Sequence, residues 1–100
     1  MESKMKFEER IKPHLNELAH SLIDKEIYGH LPSITNLLIS FKSDQWRRLP
    51  NDEQIHWLKK LSQMIAGRDG LSDWFGYDNQ NLNQLLEITQ AQIKAIERNT

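Results

Sequence analysis

The chain contains no cysteine, which excludes a disulfide framework, a thiol nucleophile and a zinc thiolate site, and is in keeping with a reducing compartment. Long apolar runs are missing too. Leu37-Leu38-Ile39 is far too short to span a bilayer, and Met1-Glu2-Ser3-Lys4 leads into charged sequence instead of the apolar segment of a signal peptide. A cytosolic protein with no membrane partner is the expectation. Nor is there a basic excess. The formal net charge of -1 removes the general electrostatic case for a nucleic-acid binder, because a polyanion recruits clustered lysine and arginine. The charge is uneven, however: residues 71–100 carry two basic and four acidic side chains, while residues 31–50 carry three basic and one acidic.

Several chemistries fail on spacing. Gly67, Gly70 and Gly76 do not match a dinucleotide fingerprint, and no phosphate loop, nucleophile elbow or linear Ser/His/Asp arrangement is recognisable, so neither an enzyme nor a cofactor is expected. His14, His20, His30 and His56 include no pair four residues apart with a carboxylate between them, as a helical zinc site would need. Ordinary surface neighbours, His14 with Glu17 and His20 with Asp24, account for two of them. Asp69, Asp73 and Asp78 stand four and five residues apart, which is not the alternating ligand spacing of an EF-hand. No metal is expected.

What the chain does have is helical periodicity. One hundred residues suit one domain with one core, here residues 1–100. Phe7, Ile11, Leu15, Leu18 and Leu22 recur at intervals of 4, 4, 3 and 4, placing them on one face of a first helix, with a local distortion expected at Pro13. Gly29 is the expected stop. Pro32 suits the first turn of a second helix carrying Ile34, Leu37, Leu38 and Phe41. Ser43 fits the cap of a brief turn through Trp46 and Leu49, and Asn51 with Gln54 fits the cap of a third helix. That helix buries Ile55, Leu58, Leu61, Met64 and Ile65 and ends at Gly67 in a left-handed cap. A loop from Arg68 to Gln80 follows. In the last helix Leu82, Leu86, Thr89, Ile93 and Ile96 form the stripe, widened by Leu85 and Ile88. The expected fold is an all-α single-domain bundle of about four helices, antiparallel because the connections are short.

The functional candidate is the stretch Gly70-Leu71-Ser72-Asp73-Trp74-Phe75-Gly76-Tyr77, three aromatic rings and two glycines between amphipathic helices. Loops carry recognition more often than helix bodies, and large rings supply most interface energy. Trp74 and Phe75, being adjacent in an irregular segment, cannot easily both face inward, so at least one ring is expected at the surface. The competing use for Trp74 is closing the end of the bundle. Asp78 also suits the start of the last helix, where the dipole favours a carboxylate. A rival candidate is basic: Trp46-Arg47-Arg48 and Lys59-Lys60 combine a ring with cations, as single-strand binders do, although sealing the gap between two helices is the plainer use of Trp46.

The layout resembles small bacterial all-helical immunity-type proteins of polymorphic and contact-dependent toxin systems. In these, helices lead to a glycine-rich turn before the last helix. Here Gly70-Leu71-Ser72-Asp73-Trp74 corresponds to that turn, without a doubled glycine, and the resemblance covers the last half of the chain. It implies a non-catalytic interaction protein that binds and neutralises a cognate toxin, most concretely a basic nuclease. Asp69, Asp73 and Asp78 would meet the toxin's cations, while Trp74, Phe75 and Tyr77 would be buried anchors. The alternative function is a nucleic-acid-associated regulator using Arg47, Arg48, Lys59 and Lys60, and a third is a small enzyme whose site is assembled in space and hidden in the linear sequence. A homo-oligomer is left open.

Overall fold

In a computed structural model that describes residues 6–68 and 70–98, six helical segments and no strand occur among the described residues: α1 (Phe7–Asp24), α2 (Leu31–Lys42), α3 (Gln45–Arg48), α4 (Asn51–Ala66), α5 (Leu71–Phe75) and α6 (Gln80–Arg98). The fold is an all-α bundle whose four long helices are those expected from the apolar spacing. Their inward positions make one core. Ile11, Leu15, Leu18 and Leu22 from α1 meet Ile34, Leu37, Leu38 and Phe41 from α2, Leu58, Leu61, Met64 and Ile65 from α4, and Leu82, Leu85, Ile88 and Ile96 from α6. Thr89, the polar member of the α6 stripe, is fully buried because its hydroxyl donates to the Leu85 carbonyl at 2.7 Å, satisfying the group within its own helix. Leu86, Ile93 and Ile55 are half-buried at the edges.

Helix packing is sequential in space: α2 lies on α1, α1 on α6, and α6 on α4. The ion pair between Lys59 and Glu97 joins the middle of α4 to the end of α6, while α5 links the end of α4 to the start of α6, so those two run antiparallel. By contrast, the α2 and α4 backbones do not approach closely. The bundle is therefore open along one seam.

The helix ends differ from expectation in instructive ways. Pro13 lies inside α1. That helix stops before Gly29, at Lys25, and the left-handed residue is Glu26 (φ 57°). The Ile27 amide donates to the Leu22 carbonyl at 2.8 Å and the Glu26 amide to the Ile23 carbonyl at 3.0 Å, the paired bonds of a Schellman motif, with Ile27 packed on the core. Gly67 is not left-handed either. Its φ is -76°, and glycine is needed because an added Cβ would sit 2.4 Å from the Gln63 carbonyl oxygen. Asn51 does not cap α4. Pro50 holds that position, and Gln54 instead donates to the Trp46 carbonyl at 2.8 Å, tying α4 to α3. Ser43 sits one residue before the α3 cap and accepts from the Gln45 amide at 3.3 Å. Asn79, not Asp78, caps α6, its side-chain oxygen accepting from the Leu82 amide at 3.0 Å.

Candidate functional site

The segment expected to be an irregular loop contains a helical turn, and that turn decides where each ring points. With about 100° per residue, Leu71, Ser72 and Phe75 share one side of α5, while Asp73 and Trp74 fall outside it. Leu71 and Ser72 are buried against α4, and Phe75 packs half-buried on the core, with the Lys25 ammonium 5.9 Å from its ring centre. Trp74 is left 66% exposed, so it does not close the end of the bundle. Gly76 then takes φ 99°, a backbone state open to glycine, which ends α5 and turns the chain toward α6. Tyr77 follows at 75% exposure.

Of the candidate residues, the structure brings Asp73, Trp74 and Tyr77 together on one outward surface, with Asp78 exposed beside them. Phe75 is turned toward the core, and Asp69 lies outside the described residues. The Tyr77 hydroxyl donates to the Asp73 carboxylate, bridging α5 and the α6 approach. That bond, together with the nearby negative charge, raises the Tyr77 phenol above its ordinary value of 10.0. The Asn83 amide nitrogen donates to the Tyr77 carbonyl at 3.1 Å, so the backbone beneath the exposed ring is anchored.

Sequence reading missed a contribution from the α1–α2 connection. Ile27, Gly29 and His30 line a depression of about 590 Å³ with Leu71, Asp73 and Trp74. Tyr28, in the same connection, is 55% exposed. No local signal marks this juxtaposition, because the two segments are separated by more than forty residues of sequence. A single end of the molecule thus presents exposed rings from two connections, with Asp73 and Asp78 among its acidic groups and Lys25 beside Phe75.

The basic candidates are divided between ion pairs and the α2–α4 seam. Trp46 is buried in a trio with Phe7 and Phe41, at centroid distances of 6.1 Å and 4.9 Å, so its ring is unavailable for stacking on a base. Arg47 pairs with Glu8 of α1 at 3.1 Å, and Lys59 pairs with Glu97. Arg48 and Lys60 face the α2–α4 seam. Among the described residues no group of three or more His, Asp or Glu side chains is arranged to hold a metal ion, and no helix is long and apolar enough to cross a membrane. Compared with models of protein families, with curated proteins and with solved structures, the chain matches none.

Proposed function

We propose that this protein is a non-catalytic binding protein whose docking face is the α5 end of the bundle, and most concretely a cytoplasmic immunity protein that neutralises a basic toxin, such as a nuclease, by covering its substrate site. One observation carries the reading: Trp74 and Tyr77 are displayed at 66% and 75% exposure from a turn whose opposite side, Leu71 and Ser72, is locked into the core. Large rings left in water by a fold that has a core to spare for them are the residues from which interfaces draw most of their energy. Asp73 and Asp78 give the face its sign, and charge of that sign accelerates encounter with a cationic site. Phe75 supports the turn from below. A rigidly backed face also loses little entropy on docking.

The test is genetic and physical together. If a neighbouring gene encodes a large secreted protein with a variable C-terminal domain, expression of that domain in cells should arrest growth, and co-expression of this chain should restore it. The purified pair should form a complex that Trp74→Ala weakens. Rescue of growth without a complex, or salt-sensitive submicromolar binding of DNA or RNA lost on Arg47→Ala with Arg48→Ala, would replace this reading with the regulator.

A further inference from the structure

The seam between α2 and α4 is a second surface, different in chemistry from the α5 end. Two cavities, of about 310 and 480 Å³, lie along it, the first walled also by Gln45, Trp46 and Arg48 of α3. Leu37 and Ser40 face Trp57 in the first, and Ser33 faces Lys60 and Met64 in the second. On both helices the two cavities are one turn apart, so they lie end to end along the seam as a shallow groove. From His30 to Ser40 it runs about 15 Å, the length of three helical turns. Its floor is apolar. Its charged lining residues among those described, Arg48, Lys60 and Arg68, are all cations, in a chain whose net charge is -1.

We infer that this groove docks an acidic amphipathic helix of a partner protein. Both walls are α-helices with their backbone groups satisfied internally, so they offer no edge on which an extended peptide could add a strand. A third helix can lie over this seam, its apolar stripe on Trp57 and the exposed edges of Leu37 and Met64 and its carboxylates toward the cations at the rim. The Lys60 ammonium stands 5.1 Å from the Trp57 ring centre, which holds a positive charge over the apolar floor. A nucleic-acid strand fits less well, because Trp46 lies under the surface and Trp57 is only half-exposed, leaving no row of free rings for stacking.

The experiment selects binders from a displayed library of random 14-residue peptides on the full chain, and titrates the enriched peptides and a 20-nucleotide single-stranded RNA against wild type and variants. The expected result is enrichment of Asp and Glu around apolar residues spaced i, i+3, i+4 and i+7. Amide shifts should fall on α2 and α4, and Lys60→Glu with Arg68→Glu should reduce affinity at least tenfold at unchanged melting temperature. Arg10→Glu with Lys94→Glu, an equal change of charge on exposed residues outside the groove, should retain binding. The proposal is overturned by neutral or basic enriched sequences, by enrichment indifferent to the groove substitutions, by RNA binding in preference to peptide, or by a dimer in sedimentation that buries the seam against a second copy.

Discussion

His14 and Asn81 hold each other at two points across the α1–α6 contact. The Asn81 side-chain nitrogen donates to the His14 carbonyl at 3.1 Å, and the Asn81 oxygen, 2.7 Å away, accepts from Nδ1 of the His14 ring. The first bond fixes the orientation of the amide, and the second then requires the imidazole proton on Nδ1. The two residues are 67 positions apart, and the surface pairing of His14 with Glu17 expected from their spacing is replaced by this clasp. Asn81→Ala removes both bonds and leaves a half-buried ring unpartnered, at a cost of about 1–3 kcal/mol. His14→Ala keeps the backbone bond and should cost less. Urea unfolding of both variants checks the order.

Glu26 closes α1 in a conformation that an L side chain adopts at a cost of about 1 kcal/mol. Glu26→Gly should therefore stabilise the fold by up to about 1 kcal/mol, since the Schellman bonds to Leu22 and Ile23 need only the backbone. A rise in the denaturation midpoint is the expected outcome. A fall would mean that the Glu26 side chain contributes more than its backbone costs.

Much of this architecture is legible in the sequence, for a physical reason. Burial at intervals of three and four is imposed by helical geometry, so Ile11, Leu15, Leu18 and Leu22, or Leu58, Leu61 and Ile65, announce both their helix and its inner face. Helix ends are governed by weaker, interchangeable devices. Glu26 does what Gly29 was suited to do, and Asn79 caps α6 one residue after the expected Asp78. The aromatic stretch is conspicuous in the sequence, but its division into a core-facing Phe75 and an outward Trp74 depends on one turn of helix too short to leave a periodic signature. The approach of the α1–α2 connection depends on tertiary packing alone.

Tyr77 and Asp73 supply a pH signature. With the ionised carboxylate accepting its proton, the phenol ionises above its ordinary value of 10.0, so the bond is lost as pH rises through the raised value. In a Tyr28→Phe background, spectroscopic titration should place Tyr77 above a free phenol, and Asp73→Asn should lower its midpoint. An identical midpoint in both proteins would show that the pair does not form in solution.

Trp46 and Trp74 should behave oppositely. Trp46, at 2% exposure in the ring trio, should cost about 3–5 kcal/mol when truncated to alanine. Trp74→Ala, changing a ring mostly in water, should alter stability by about 0.5 kcal/mol or less. Thermal unfolding of the two variants measures the contrast.

The affinity of Trp74→Ala for the proposed toxin partner, measured by calorimetry beside wild type, tests the α5 face most directly. A docking anchor predicts a loss of about 2 kcal/mol or more in binding with melting unchanged, and Asp73→Asn should slow association and flatten its salt dependence. Wild-type affinity in a folded Trp74→Ala protein would contradict the assignment of this face as the docking surface.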